Sequence, residues 1–466
     1  MYTSTEVKMR YHLAIDIGAS SGRHILASMD GGKLTLSEIY RFENYITDQN
    51  GTLTWDIEHL ASSVIAGIAE CKKIGKLPET VAIDTWGVDY VLIDKDGKEI
   101  LPAVAYRDSR TDGVPEQIDE MISRYDLFSR NGIQALNFNT LYQLFCDKRT
   151  GKLDNAAHLL MMPDYLAYKL TGLVANEYTN LTTGSLVNAT THELDVELLE
   201  KLGIRTDIFS KISLPGTKLG GFSEAVREQI GFDATVILAA SHDTASAVAA
   251  CPGGDSRVYI SSGTWSLIGT ELLVPTLSRE AMEAGFTNEG GVNFRYRFLK
   301  NFMGMWLFQS IRRDLGKKYT YDEMMDMAKQ SKLVGYVDPN ARQFVAPENM
   351  LDAIRDYLGT PELSIGEALA SVYHSLARSY DEAVKTVEQI TGTTIDTINI
   401  VGGGSKDTYL NELTARYTGK KVLAGPIEAT AIGNIAVQLM YADSALTLSD
   451  VREIIKTSFD IKEVTI

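Results

Sequence analysis

The sequence predicts an α/β protein of two domains, and three observations lead to that prediction. The chain of 466 residues is long enough for two domains of roughly 150–250 residues each. Short apolar strands alternate with amphipathic helices along its length. Two segments, AIDIGASSGRHILA near the start and RVYISSGTWSLIGTE after the middle, each read as strand, Gly/Ser loop and strand. They indicate an internal duplication, although Gly/Ser hairpins are also common in unrelated proteins.

The first half begins with strands and continues as a mixture of strands and helices. YHLAIDIG, RHILASMD and LTLSEIYRF predict three strands joined by tight turns. A helix is expected over Trp55–Lys73, because Ile57, Leu60, Ile65 and Ile68 recur at near-helical spacing. VAIDTWG and DYVLIDKDG predict two more strands. TVILAA predicts a strand that runs into a short helix, TASAVAA.

The second half repeats this alternation. A long amphipathic helix, SIGEALASVYHSLARSYDEAVKTVEQITG, is closed by Gly392 as a C-cap. A strand, TINIV, then leads into three glycines and a helix from Thr408. KVLAG is expected as the last strand, and ATAIGNIAVQLMYA as a buried helix. The run CPGGD breaks the helix after Asp243, so we place a boundary near Ala250–Gly254, with domains at 1–250 and 251–466.

Composition limits the partners and the location of the protein. The formal net charge is -16, which argues against binding to nucleic acid or an anionic membrane. Cys71, Cys146 and Cys251 are isolated thiols typical of a reducing compartment. The chain lacks a signal-peptide pattern at its start and a long apolar window, so we expect a cytoplasmic protein without a membrane span. Monomer and homodimer both stay open.

Three glycine-containing loops are candidates for binding phosphate or a nucleoside. The first runs from Asp16 to Arg23, where small residues and two serines present backbone N–H and hydroxyl donors. Asp16, at a strand end, is a candidate for holding a metal ion through water, and a plain β-hairpin is the alternative. The second loop is SSGTWS and the third is VGGGS. Neither a P-loop sequence nor GxGxxG occurs, which disfavours a Rossmann dinucleotide site.

The stretch SHDTASAV contains the candidate catalytic residue. Asp243 lies where an apolar strand gives way to small residues, which is where α/β folds tend to place ligands. A cap of the following helix is the alternative role for its carboxylate.

The order of these motifs along the chain resembles the FGGY carbohydrate kinases of the actin-like ATPase superfamily. The motifs that carry the resemblance are AIDIGASSGR, DTWGVDYVLID, AYRDSRTDGV, MMPDYLAYKLTG, SHDTASAV, SSGTWSLIGTE, LKNFMGMWLFQ and IVGGGSKDTYLNELTARYTGKKVLAGPIEATAIGNIAVQLM. The resemblance implies two ribonuclease-H-like domains with the active site in the cleft between them. It also implies transfer of phosphate from ATP, with Mg²⁺, to a ketose, and the nearest branch phosphorylates L-rhamnulose at its 1-hydroxyl.

The same resemblance implies a role for individual residues. Asp243 matches the general base and a sugar contact. The other sugar contacts are Gly87, His242, Thr244 and Asn301. The ATP contacts are Ala19, Ser20, Ser21, Gly22, Arg23, Thr264, Gln309 and Gly403. One position departs from the pattern, because Asp407 stands where this branch commonly carries Asn, which puts a side-chain contact to the nucleotide there in doubt.

Alternatives remain for several of these residues and for the function. Asn301 is also a candidate N-cap, Gly87 a bulge residue, and Trp86 a core residue rather than a wall for the sugar's methyl group. Another sugar kinase, acting on L-fuculose, D-xylulose or a similar ketose or polyol, is the nearest functional alternative. A non-catalytic ATP-binding protein of the actin or Hsp70 kind is a remote one.

Overall fold

Two mixed sheets, each built around a Gly/Ser hairpin, organise the chain. The computed structural model describes residues 9–254 and 256–464. The strands of the first half are β1 Tyr11–Ile17, β2 Ser21–Asp30, β3 Lys33–Glu43, β4 Ile46–Gln49, β5 Thr52–Trp55, β6 Thr80–Thr85, β7 Tyr90–Ile93, β8 His158–Met161, β9 Asn176–Glu177, β10 Ile212–Ser213, β11 Lys218–Gly221 and β12 Thr235–Ile237. Its helices are α1 Ile57–Lys73, α2 Val114–Asp119, α3 Arg124–Asn131, α4 Thr140–Arg149, α5 Met162–Thr171, α6 Tyr178–Thr182, α7 Val196–Lys201, α8 Glu224–Ile230 and α9 Asp243–Ala249.

The second half forms the other sheet and a layer of longer helices. Its strands are β13 Arg257–Ser262, β14 Trp265–Leu272, β15 Thr287–Gly290, β16 Tyr296–Met303, β17 Thr397–Val401, β18 Lys421–Ala424 and β19 Lys462–Val464. Its helices are α10 Arg279–Glu283, α11 Trp306–Asp314, α12 Tyr321–Gln330, α13 Met350–Leu358, α14 Ile365–Thr391, α15 Thr408–Thr418, α16 Ala429–Ala442 and α17 Leu448–Ser458.

The central strands of the two sheets share one connectivity, which supports the predicted duplication. The first has the order β11-β12-β6-β1-β2-β3 and the second β15-β16-β14-β13-β17-β18-β19. In each, the first strand pairs antiparallel with the second strand of its hairpin, β1 with β2 and β13 with β14. On its other side it pairs parallel with a later strand, β6 or β17. The mixed α/β fold class predicted from the sequence is therefore confirmed.

Most of the predicted elements are present, with local differences. The helix expected from Trp55 begins at Ile57, because Asp56 accepts the N–H of His59 as its cap and Trp55 belongs to β5. Helix α14 begins with a capping box at Ser364 and ends at Gly392, as predicted. The expectation that KVLAG is the last strand is wrong, because β19 pairs antiparallel with β18 near the chain end.

Helices α9 and α16 pack between the sheets. Helix α16 contacts β1 and β6 of the first sheet, and α9 contacts β13 of the second. The two helices approach closely at Gly433, where a Cβ atom would lie 1.7 Å from the carbonyl oxygen of Ser246. Two buried amides of α16 bond to the first sheet: Gln438 donates to the carbonyl of Leu13, and Asn434 donates to that of Ala82. The start of α9 is thereby held near the ends of β1 and β6.

The predicted domain boundary falls in the connection between the sheets. Helix α9 ends at Ala249 and β13 begins at Arg257, so the segment Ala250–Gly254 lies in a loop. The division into 1–250 and 251–466 stays a prediction, and its outer ends, residues 1–8 and 465–466, lie outside the described residues. Among the described residues, no helix is both long and apolar enough to cross a membrane.

Candidate active site

The first glycine-containing loop is a tight turn whose backbone is fixed by Asn44. The side-chain amide of Asn44 donates to the carbonyl of Gly18 at 2.9 Å, and its backbone N–H donates to that of Ser20 at 3.0 Å. Ser20 is exposed, whereas Ala19 and Ser21 are half-buried. Gly22 is buried under Phe42, and a Cβ atom there would lie 2.1 Å from the ring. The requirement for glycine at this position therefore has a packing cause.

Arg23 is held between two carboxylates. It lies opposite Asp16 in the β1–β2 hairpin and donates to that carboxylate at 2.6 Å. Its other amino group forms an ion pair with Glu428, which precedes α16. Burial raises the pKa of Asp16, and the charge of Arg23 opposes that rise. A guanidinium at the edge of this loop suits an anionic ligand such as a phosphate group.

Two of the predicted ATP contacts meet at the second loop. The hydroxyl of Thr264 donates to Oε1 of Gln309 at 3.0 Å, and Thr264 itself is exposed. The loop is tied to the start of α11, because the N–H of Met305 donates to the carbonyl of Gly263 and that of Gly304 to the carbonyl of Thr264. These backbone bonds leave the hydroxyl of Thr264 and the side-chain amide of Gln309 at the protein surface.

The third loop packs against the second. A Cβ atom on Gly404 would lie 2.0 Å from the hydroxyl oxygen of Ser262, and one on Gly402 would lie 3.2 Å from its carbonyl. Gly403 is open, with no described atom within 4 Å of the position of a Cβ. Asp407 caps α15 by accepting the N–H of Leu410 at 3.0 Å, and it also accepts the hydroxyl of Tyr373 at 2.6 Å.

Asp243 begins helix α9, and one of its oxygens is surrounded by donors. Oδ1 accepts the backbone N–H of Thr244 at 2.5 Å and its hydroxyl at 3.1 Å. The same oxygen lies 3.3 Å from Nε2 of His242. No described residue bonds to Oδ2, and about 33% of the side chain is exposed. His242, not Asp243, is the N-cap residue, so the cap assignment for Asp243 is wrong.

A buried carboxylate supports the segment before Asp243. Glu177 is fully buried and accepts both the N–H and the hydroxyl of Ser241, at 3.2 and 2.5 Å. It also accepts donors from Thr179 and Asn180 at the start of α6. The hydroxyl of Thr179 in turn accepts the N–H of His242 at 3.3 Å. These bonds fix the backbone that presents His242 and Asp243.

Gly87 follows β6 beside the same segment. Thr85 forms a parallel bridge with His242, and Asn180 donates to the carbonyls of both Trp86 and Ser241. Val88 has a φ of 67°, which is a strained conformation for a β-branched residue and typical of functional sites. Trp86 is 7% exposed and donates to the buried Asp89, which agrees with its interpretation as a core residue.

Asn301 lies on the second sheet. It is exposed on β16 and pairs with Leu267 of β14, so the N-cap alternative is wrong. Its side chain is on the same face of β16 as Arg297, four residues earlier. Arg297 contacts His242 at 3.0 Å. Asn301 therefore faces the same side of the second sheet as the residues that reach Asp243.

Three carboxylates converge where β1, β6 and α9 meet. Asp16 and Asp84 are in register on neighbouring parallel strands. Burial raises the pKa of Asp84 well above its usual range, and the charges of Asp16 and Asp243 raise it further. Oδ2 of Asp84 accepts the amide of Asn434 at 2.6 Å, while its buried Oδ1 has no partner among the described residues. No cluster of three described His, Cys, Asp or Glu side chains has the arrangement of a direct metal site.

Several residues of this site were not predicted from the sequence. They are Asp84, Glu177, Asn180, Glu289, Arg297 and Glu428. Asp84 and Glu428 lie within the motifs quoted above but received no role, and the other four belong to none of those motifs. Several of their partners lie far away in the chain, as Asn434 does for Asp84 and Ser241 for Glu177. The available signal was a charged residue inside an apolar strand, as with Arg297 between Tyr296 and Phe298, which are both buried. A buried charge requires a partner, although the sequence does not identify that partner.

Comparisons with known proteins agree with this geometry. The N-terminal domain model of the FGGY family of carbohydrate kinases matches residues 11–250, and the C-terminal domain model matches 258–442. A rhamnulokinase from Halalkalibacterium halodurans is 44% identical over 97% of this chain and 98% of its own. A rhamnulokinase from Bacillus subtilis is 40% identical over 97% and 95%.

Solved structures show the same fold at low identity. The xylulose kinase from Lactobacillus acidophilus superposes with a TM-score of 0.81 at 16% identity, covering 98% of this chain and 93% of its own. The glycerol kinase from Plasmodium falciparum, solved with ADP, gives a TM-score of 0.78 at 14% identity, covering 97% and 94%. The two-domain actin-like architecture that the motifs implied is thereby confirmed. Both domain models match and full-length relatives reach this identity, so the chain belongs to the FGGY family of carbohydrate kinases.

Proposed function

We propose that this carbohydrate kinase transfers the γ-phosphoryl group of ATP to the 1-hydroxyl of L-rhamnulose, giving L-rhamnulose 1-phosphate and ADP. The sugar assignment is supported by full-length relatives named rhamnulokinase at 38–44% identity. A cytoplasmic location suits an enzyme that consumes ATP. We also propose that residues 1–250 form a mainly sugar-binding domain and residues 251–466 a mainly ATP-binding one.

The observation on which the mechanism rests is the unequal environment of the two oxygens of Asp243. Donors from Thr244 and the nearby ring of His242 occupy Oδ1, which leaves Oδ2 as the atom that accepts the proton of the sugar hydroxyl. The transition state of phosphoryl transfer is loose, so a weak base that takes the proton late is sufficient. Oδ2 of Asp243 accepts that proton, and Thr244, His242, Gly87 and Asn301 orient the sugar.

The glycine-containing loops bind and orient the nucleotide. Arg23 and the backbone N–H groups of the first loop stabilise negative charge on the transferred phosphoryl group. The remaining ATP contacts in this proposal are Ala19, Ser20, Ser21, Gly22, Thr264, Gln309 and Gly403. Thr264 and Gln309 contact each other, and the loop of Gly403 packs against the second loop, so these groups form one continuous surface.

The residues present fit a hydrated Mg²⁺ beside Asp16. Mg²⁺ keeps much of its water shell and uses few protein carboxylates. Asp84, in register with Asp16, has a buried oxygen with no partner among the described residues, which suits a bond from a metal-bound water. When bound, the ion neutralises charge on the phosphates of ATP. The side chains of Asp16 and Asp84 would hold the ion through its water shell.

A coupled ADP-release assay with L-rhamnulose tests the proposal. We expect Asp243→Asn to lower kcat by about 10²–10⁴-fold, because the general base is lost. Asp56→Asn is the matched control, since Asp56 also starts a helix and accepts an N–H, at 2.9 Å from His59, but lies in no part of the proposed site. Turnover of Asp243→Asn within about threefold of wild type would contradict the assigned base.

The choice of sugar needs its own measurement. The nearest alternative is a kinase for another ketose, such as L-fuculose or D-xylulose, which would use the same loops. We expect kcat/KM to be highest for L-rhamnulose across a ketose panel at fixed ATP. A higher value for another ketose would overturn the sugar assignment without changing the role of Asp243.

A further inference from the structure

A chain of contacts leads from Asp243 to the second sheet. Nε2 of His242 lies 3.3 Å from Oδ1 of Asp243. On the other side of the ring, Nδ1 lies 3.0 Å from Nη2 of Arg297 and 3.3 Å from Oε2 of Glu289. Arg297 and Glu289 also lie 2.9 Å apart. His242 and Asp243 belong to the segment matched by the N-terminal family model, whereas Glu289 and Arg297 belong to the C-terminal one.

The guanidinium of Arg297 has little freedom to move. Its side chain is 0% exposed, and its Nε donates to the carbonyl of Gly290 at 2.9 Å. Burial by itself raises the pKa of Glu289, but the charge of Arg297 is the largest of the influences that outweigh it, so that pKa is lowered. Glu289 is therefore the ionised partner that a buried guanidinium requires. Because Gly290 and Glu289 hold the guanidinium of Arg297 in place, Arg297 determines the geometry at Nδ1 of His242.

This geometry selects one form of the imidazole ring. Oε2 of Glu289 also lies 3.3 Å from Nδ1, but Nη2 of Arg297 is the group in hydrogen-bonding geometry there. Because a guanidinium has only donors, Nδ1 accepts this N–H through its lone pair. A proton on Nδ1 would place two N–H groups face to face at 3.0 Å. A protonated ring would in addition bring two cations together. In the neutral ring the proton is then on Nε2, because the hydrogen bond at one ring nitrogen determines the state of the other.

We infer that Arg297 and Glu289 are positioning residues that hold His242 as the Nε2–H tautomer, with this proton facing Oδ1 of Asp243. The inference rests on the proposed role of Asp243 as general base. The Nε2–H group lies 3.3 Å from Oδ1, so it stabilises the charge on that oxygen and leaves Oδ2 for the sugar hydroxyl. Since Arg297 and Glu289 are on the second sheet, the base acquires its working geometry only when the two halves of the chain are docked.

The tautomer is measurable without any turnover. We would label the histidines of the full chain with ¹⁵N and record long-range ¹H–¹⁵N correlations at neutral pH. The chain has seven histidines, so the signals of His242 are identified by their loss in His242→Asn. We expect a protonated Nε2 and an unprotonated Nδ1. A proton on Nδ1, whether in the other neutral tautomer or in the imidazolium, would overturn the inference whether or not the Arg297 variants fold.

Variants test the consequence for the reaction. Arg297→Met removes the donor, and we expect the Nδ1–H form of His242 to appear. We also expect kcat to fall by about 10–100-fold, as is typical when the outer partner of a functional histidine is removed, with an unchanged KM for ATP. Arg297→Lys keeps a donor and a charge, so it should recover part of kcat. Wild-type kcat in a folded Arg297→Met protein would contradict the positioning role.

Glu271→Gln is the matched control. Glu271 is a buried glutamate in register with Arg297 on the neighbouring strand, but it pairs with Arg257 and Arg452. We expect it to lower the melting temperature without changing kcat or the tautomer of His242. An equal loss of kcat in this control would show that Arg297→Met acts through general destabilisation. Failure of the base assignment is distinguishable from failure of this inference. Wild-type turnover by Asp243→Asn would contradict the role of Asp243 but would not change the tautomer of His242 measured in the wild-type protein.

Discussion

Arg23 and Glu428 form an ion pair that joins the first glycine-containing loop to the start of helix α16. Arg23 belongs to β2 of the first sheet, whereas Glu428 lies in the connection between β18 and α16. The same guanidinium contacts Asp16 at 2.6 Å, so it is held at the point where the two halves of the chain meet. A phosphate group that binds at this loop would contact the guanidinium of Arg23, which Asp16 and Glu428 already hold in place.

Replacing Arg23 is expected to weaken ATP binding selectively. Arg23→Gln removes a cation and its paired donors, and charge-assisted bonds of this kind contribute enough for about a tenfold rise in the KM for ATP. The KM for the sugar should change little. Steady-state kinetics with each substrate varied in turn measure both values.

Arg41→Gln is the control for that experiment. Arg41 lies opposite Arg23 on the neighbouring strand β3, but it is an exposed residue that pairs with Glu38. Exposed ion pairs contribute little, so the KM for ATP should stay within about twofold of wild type. A similar rise in both variants would mean that net charge, rather than contact with phosphate, is responsible.

Glu177 is expected to govern both stability and turnover. Its Oε2 accepts donors from Ser241, Asn180 and Thr179, and Glu177→Gln turns one acceptor oxygen into an amide donor facing an N–H group. We expect the free energy of unfolding to fall by about 1–3 kcal/mol. We also expect kcat to fall, because the backbone before His242 shifts. Urea unfolding and the ADP-release assay measure the two effects.

Glu99→Gln separates these effects from the loss of a carboxylate in general. Glu99 accepts the hydroxyl of Tyr165 at 2.9 Å and pairs with Lys169, but its side chain is 26% exposed. We expect its free energy of unfolding to change by less than about 1 kcal/mol, with unchanged kcat. If Glu177→Gln behaved like this control, its buried network would have no role in positioning Asp243.

The contrast between Asp243 and Glu177 shows what the sequence is able to predict. Asp243 lies at a strand-to-helix junction inside a short motif, and the hairpins and the long helix α14 follow periodic patterns with local caps. These features depend on neighbours in the chain. Glu177 contacts Ser241, and Glu289 contacts His242, only because the sheets and α9 bring them together. A single sequence has no local signal for such pairs, since a buried polar residue is identified by partners that the fold supplies.

The buried imidazole of His24 is expected to limit stability in acid. Burial lowers the pKa of His24 to about 4, and its Nδ1 has no partner among the described residues. Between the ordinary pKa near 6.5 and this value, the unfolded chain binds the proton that the folded chain excludes. The free energy of unfolding therefore has its full contribution from neutral His24 above about pH 6.5. That contribution falls by about 3 kcal/mol as the pH decreases to 4.

Replacing His24 should make that loss shallower. His24→Phe keeps a ring of similar size and removes the titrating group, so the melting temperature should decline less between pH 6.5 and 4 than in the wild type. Thermal unfolding across this pH range measures the slope. His158→Gln, at a half-buried position on β8, is the comparison. Equal slopes for wild type and His24→Phe would mean that other groups dominate acid unfolding.

Adjacent glycines of the third loop are expected to respond in opposite ways. A Cβ atom on Gly404 would lie 2.0 Å from the hydroxyl oxygen of Ser262, so Gly404→Ala forces the two loops apart. We expect a loss of about 1–3 kcal/mol in the free energy of unfolding, the usual cost of overpacking. The position of a Cβ on Gly403 is open among the described atoms, so Gly403→Ala should leave stability unchanged.

The kinetic consequences of these two variants separate packing from nucleotide contact. Gly403→Ala adds a methyl group on the face that we assign to ATP. We therefore expect a higher KM for ATP, with a melting temperature equal to that of the wild type. Adding Ser262→Gly to Gly404→Ala removes the clashing hydroxyl and should recover part of the lost stability, which a double-mutant cycle measures. A wild-type KM for ATP in Gly403→Ala would exclude close approach of the nucleotide to this glycine, because any ligand within contact distance would meet the added methyl group.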